Sequence, residues 1–148
     1  MSAILPREFG YVALSAIGIN LLTTWQGMIV TGLRSKIDVP YPNPYASRDQ
    51  AEKDPAVNKF NCAQRAHQNT MENVPMIMSM LFISGLVYPK RSAAFGGVWI
   101  LGKFCGRILF TLGYLSGDPK KRMRGSIGYI GVLGLLGHSI YVTVTSLL

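Results

Sequence analysis

GYVALSAIGINLLTTWQGMIVTGL, residues 10–33, runs for 24 residues without an Asp, Glu, Lys or Arg. A helix rises about 1.5 Å per residue, so about 20 apolar residues cross a hydrocarbon core of ~30 Å. The stretch GSIGYIGVLGLLGHSIYVTVTSLL, residues 125–148, shows the same pattern, with His138 its one group able to titrate near neutrality. At 148 residues and 49% hydrophobic content, the chain has the length of one domain but is too apolar for an ordinary small soluble one. Lipid is the expected solvent for much of it. The first span is expected to be retained, because its apolar run is longer than the roughly 7–15 residues of a cleaved signal.

Two further spans carry charge. Val74 to Tyr88 is apolar over 15 residues, only ~22 Å of helix, so it must recruit residues before it to cross. Counting back about 20 residues from Tyr88 reaches Asn69, which puts Asn69 and Glu72 just inside the hydrocarbon edge and Arg65 a turn outside. A fourth candidate, from Ala93 to about Leu112, contains Lys103 and Arg107. The expected fold is a single all-α domain, an up-down antiparallel four-helix membrane bundle with helices near 9–33, 60–88, 92–116 and 124–148. Between the first two helices, the alternating Pro40, Pro42 and Pro44 exclude regular helix at the start of a polar loop running to Asp54. YPK at 88–90 and SGDPKK at 116–121 read as tight connections between antiparallel neighbours. Pro75 predicts a kink in the second helix, and GVLGLLG at 131–137 offers small residues for close helix approach.

The net charge of +8 is unevenly placed. Arg34, Lys36, Arg48, Lys53, Lys59, Lys120, Lys121, Arg122 and Arg124 fall on one side of the predicted bundle, against Arg7, Lys90 and Arg91 on the other. The positive-inside rule places both basic loops in the cytosol and both termini across the membrane. Anionic headgroups are the simplest partner for that charge. Nucleic acid is a poor one, since no basic helix or recognition motif accompanies it. Cys62 and Cys105 are lone thiols with no ligand cluster nearby, which supports neither a disulfide framework nor a metal site.

The informative stretch is FNCAQRAHQNTMENV, residues 60–74. Arg65, Asn69 and Glu72 recur at i, i+4 and i+7, one helical face. Lys103, Arg107, Phe110 and Tyr114 form a second face, which can oppose the first. Charge this close to lipid is costly, by ~2.5–3.5 kcal/mol at the bilayer centre on insertion scales, so these groups should face a partner or a watered cavity. In one reading Arg65 and Glu72 form a surface ion pair, Asn69 bonds a neighbouring helix and Lys103 reaches for the interface. In the other the two faces line an Arg-rich pocket holding a small zwitterion with excess carboxylates, a charge pattern that glutathione has. His67 lies about 200° around the helix from Arg65, away from the stripe. His138, alone on the last helix, reads as structural.

At these residues the sequence resembles the MAPEG family of integral membrane glutathione enzymes. FNCAQRAHQNTMENVP at 60–75 carries the resemblance, and GRILFTLGYLSGDPKKRMRG at 106–125 carries the rest; it extends from REFGYV at the amino terminus through the last helix. The resemblance implies a homotrimer in the endoplasmic reticulum membrane, with glutathione as co-substrate between adjacent subunits near the cytosolic face and a lipophilic second substrate. It implies glutathione contacts from Arg65, Asn69 and Glu72, from Arg107 and Tyr114, and from Arg34 and His67 toward a neighbour. Arg122, with Arg124 as rival, is the implied thiol-activating arginine. The implied activities are glutathione transfer and glutathione-dependent peroxidase chemistry. Asn73 and Phe110 stand where leukotriene-forming relatives carry tyrosines, which weakens that one activity. A non-catalytic lipid-binding or scaffold protein of the same fold is the alternative, and a proton pathway through Glu72, Arg107 and Lys103 a third.

Overall fold

A computed structural model describes residues 6–101 and 106–148, and every regular element among them is helical. After a 3-10 turn at Arg7–Phe9, α1 spans Gly10–Arg34, α2 Arg48–Lys53, α3 Pro55–Gly85, α4 Pro89–Leu101 and α5 Gly106–Leu115. A 3-10 helix at Pro119–Gly125 then leads into α6, Gly128–Leu147.

The sequence reading of four helices needs three corrections. The second helix begins at Pro55 rather than near 60, because Asp54 accepts the Ala56 N–H (2.8 Å) and proline at the first helical position needs no backbone donor. Just before it, Ser47 and Gln50 close a reciprocal capping box and start α2 inside what reads as loop. The expected helix 92–116 is described in two stretches, α4 and α5, on either side of residues 102–105. Lys103 and Cys105 lie between them, outside the described residues. The last helix starts at Gly128 rather than 124, since the basic run before it is wound as 3-10. α3 passes through Pro75 as one helix.

α3 is the centre of the packing, with α1, α4, α5 and α6 all against it. Residue pairings give the directions. Val12 meets Gly85 while Gln26 meets Thr70, so α1 and α3 are antiparallel. Tyr88 meets His138 while Phe95 meets Gly134, so α4 and α6 are too. Two larger apolar clusters result among the described residues. Val12, Ile19, Ile77, Leu81, Trp99 and Leu135 fill the end where α3 turns into α4. Val30, Val39, Val57 and Phe60 hold the polar loop against the opposite end.

The outer surface shows which solvent this fold meets. Leu14, Leu21 and Met28 on α1, and Leu133 on α6, are each about two-thirds exposed, and so many large apolar side chains on the outside of a small fold call for a nonaqueous surrounding. Among the described residues, Arg7–Arg34 and Gly128–Leu147 are long and apolar enough to cross a membrane. α3 is longer, at 31 residues, or about 46 Å, and its polar first half extends past the apolar layer. Asp54→Ala is expected to lower stability by about 1 kcal/mol, read as a fall in the midpoint of thermal unfolding in detergent.

Candidate functional site

Arg65 and Asn69 stand one turn apart on α3, facing α5. The two helices pair antiparallel, with Cys62 and Ala66 against Phe110 and Tyr114. The 3-10 helix then folds back over α5 and brings Arg122 above Tyr114. This return depends on two glycines. A Cβ on Gly113 would run into the Lys121 carbonyl, and one on Gly125 would meet Gly106 and Phe110 inside contact distance. Gly117, at φ 78°, supplies the left-handed turn between the segments.

The result is a recess of about 230 Å³ lined by Arg65, Asn69, Phe110, Tyr114, Arg122 and Tyr129. Arg122 Nη1 donates to the Tyr114 hydroxyl at 3.3 Å. Phe110 stands edge-on to Tyr114, 5.1 Å between ring centroids. Arg65 Nη1 and Glu72 Oε1 pair at 3.1 Å on the rim, both half exposed. Arg107 is 4% exposed and lies beneath. Its Nη2 donates to the Asn69 side-chain oxygen (2.7 Å) and backbone carbonyl (3.2 Å), and its guanidinium rests 4.3 Å from the Phe110 ring centroid.

A buried guanidinium normally demands a carboxylate, yet among the described residues the one carboxylate in this cluster, Glu72, is taken by Arg65. Arg107 instead leans on an amide oxygen, a carbonyl and aromatic faces. Three guanidinium groups around one carboxylate leave the recess positive. It suits an anion, and planar guanidinium forks favour carboxylates.

The remaining residues singled out in the sequence lie elsewhere. Among the described residues, the Arg34 side chain bonds only the polar loop: it donates to the carbonyls of Val39 (3.0 Å), Asn43 (2.9 Å) and Pro44 (3.2 Å), and stacks on Tyr41 and Phe60. With His67 it lines a separate cavity of about 350 Å³ between α1, α3 and the loop. Arg124 is exposed and does not line the recess. Asn73 donates to the Asn69 carbonyl at 2.7 Å. Two neighbours were not legible in advance. Tyr129 reads in sequence as part of an apolar span, and Tyr45 as an unremarked loop residue. Tyr45 donates to Gln68 and lies against Arg65; burial raises its phenol above the usual range while Arg65 pulls it part of the way back.

A family model described as MAPEG family matches residues 12–143. The chain belongs to the MAPEG family. The match contains every residue of the recess and most of the two helices long and apolar enough to cross a membrane. This MAPEG chain is accordingly a helical membrane protein, in a family that includes glutathione transferases and related enzymes alongside non-catalytic members.

Proposed function

We propose that this MAPEG chain is a membrane glutathione transferase, with glutathione-dependent peroxidase activity toward lipophilic electrophiles and lipid hydroperoxides. The observation that carries the reading is the recess itself: Arg65 and Arg122 at its wall, Asn69 held by Arg107, and Tyr114 bonded to Arg122. Within the family, the block at 60–75 resembles the corresponding segment of microsomal glutathione S-transferase three. Leukotriene-type epoxide conjugation is less favoured, because Asn73 and Phe110 lack the phenols of the leukotriene-forming relatives.

Arg65 and Asn69 receive the carboxylates of glutathione, with Arg107 holding Asn69 from beneath, and Glu72 receives its ammonium. Arg122 acts on the thiol. A free thiol titrates near ~8.5 and reacts as its thiolate, so a guanidinium beside the sulfur raises the reactive fraction at neutral pH. With a carbon electrophile, a C–S bond forms as a C–X bond breaks: a halide leaves as its anion and the thiol's proton goes to solvent, whereas the alkoxide of an opened epoxide takes that proton up. With a hydroperoxide, two glutathiones supply two electrons and two protons, the O–O bond breaks, and the products are an alcohol, water and oxidised glutathione.

Arg34 and His67 face a different side of the chain from the recess, which supports a homotrimer in which each subunit offers them toward its neighbour's glutathione. The charge asymmetry supports basic loops and site on the cytosolic side of the endoplasmic reticulum membrane, with lumenal termini. The non-catalytic scaffold has one observation in its favour: Arg65 and Glu72 already satisfy each other, and Arg34 is engaged by its own loop. Glu72→Gln separates the two. A merely structural pair this exposed contributes under about 1 kcal/mol to stability, whereas loss of an ammonium partner raises the KM for glutathione about tenfold. Steady-state kinetics beside a thermal melt check this. The function itself is tested by turnover in detergent with glutathione and a fatty-acid hydroperoxide, an aryl halide or an epoxide; no turnover with any of them removes the enzyme reading.

A further inference from the structure

α1 gives no side chain to the recess, yet one of its residues is tied to the groups directly behind it. Gln26 is fully buried, and its Nε2 donates to Thr70 Oγ1 on α3 (3.0 Å) and Thr111 Oγ1 on α5 (2.7 Å). Each threonine hydroxyl gives its own proton to the carbonyl one turn back, Thr70 to Ala66 (3.0 Å) and Thr111 to Arg107 (2.8 Å). Both hydroxyls can then only accept. The amide must therefore turn its NH₂ toward them, where its two hydrogens match two acceptors. Its Oε1 is left inside with no partner among the described residues. Simple core packing does not require such an arrangement, since an apolar side chain would fill the space with no unmatched atom. A buried polar cluster inside a membrane bundle calls for a functional explanation.

The positions of its partners say what Gln26 holds. Thr70 directly follows Asn69, and Thr111 lies one turn beyond Arg107 and bonds its carbonyl. The glutamine thus sets the spacing and register of α3 against α5 immediately behind the Asn69–Arg107 bond. We propose that Gln26 is a positioning residue, which holds Asn69 and Arg107 in place for the anionic ligand of the recess. This rests on the reading of that ligand as glutathione.

The test is a double-mutant cycle on the full chain in detergent: wild type, Gln26→Met, Asn69→Ala and the pair. Gln26→Met nearly conserves length and removes both donors. In correctly folded protein it is expected to raise the KM for glutathione about tenfold with kcat changed less than about twofold. In the Asn69→Ala background it should add nothing, because neighbours acting as a unit are non-additive. In an Arg65→Ala background the tenfold effect should persist. A purely structural role predicts a lower melting temperature in every background and an unchanged KM. An unchanged KM, or a full effect retained beside Asn69→Ala, overturns the proposal. If Gln26→Met does not fold, Thr111→Val carries the same test from the other end of the bond, with Thr111→Ser as the control that keeps the acceptor. A wild-type protein that binds no glutathione removes the ligand reading instead. Coupling is then read from melting temperatures of the same four proteins, where additive shifts overturn the positioning role.

Discussion

Arg122→Ala is expected to lower kcat/KM for glutathione by about 10²-fold, the scale of losing one preorganised group at a developing charge. The sign of the accompanying pH effect follows from electrostatics. A guanidinium stabilises the thiolate and so depresses the thiol pKa; removing it returns that pKa toward ~8.5. The acid limb of the pH–rate profile should therefore move to higher pH, and part of the lost rate should return as pH rises. Arg124 is exposed and outside the recess lining, so Arg124→Ala is expected to stay within about twofold of wild type, well under the ~1.4 kcal/mol that a tenfold change requires. Tyr114 offers an internal check. Its hydroxyl accepts from Arg122, so Tyr114→Phe should reproduce part of the Arg122→Ala loss with a smaller pH shift.

Gly113→Ala is expected to damage fold and site together. Its Cβ would enter the Lys121 carbonyl, with the Lys121 carbonyl carbon at 2.6 Å and the Arg122 nitrogen at 3.0 Å. These are backbone atoms and cannot swing aside as a flexible side chain could. The 3-10 helix must lift from α5, at a cost of about 1–3 kcal/mol for overpacking. Because that segment carries Arg122, activity should fall with it, by at least about tenfold, even in protein that remains folded. Thermal unfolding and turnover measured together check this. The half-exposed neighbour Leu112 serves as a control: Leu112→Ala, on the outer surface, should change neither by more than a small factor.

The parts of the fold legible in the sequence are those set by local pattern. Residues 10–33 could be read because no charge interrupts them, and Arg65 and Asn69 share a face because helical periodicity requires it. The beginning of α3 was misplaced because Asp54 and Pro55 sit in a charged run that reads as loop, and only cap geometry distinguishes the two. Arg107 belonged to the right cluster, but its role depended on tertiary packing: it lies under Asn69 rather than open to the recess. Arg34 shows the opposite outcome. Its charge pointed to a pocket, whereas the Pro-rich loop turned three carbonyls onto it. Spacing could not choose between Arg122 and Arg124 as recess residues, because that depends on the tight winding of Pro119–Gly125 and on two glycines that let it lie on α5. Tyr129 could not be found from periodicity at all, since it reaches the recess only when α6 begins after that 3-10 turn.

The central claim is that the recess binds glutathione and holds its thiol ionised through Arg122. Its most direct measurement is the ultraviolet absorbance of thiolate on mixing glutathione with the purified protein in detergent near pH 7, for wild type and Arg122→Ala. The account predicts a saturable thiolate signal in wild type that is lost in Arg122→Ala while glutathione still binds. It is contradicted by a wild type that forms no thiolate, or by an Arg122→Ala protein that forms it fully.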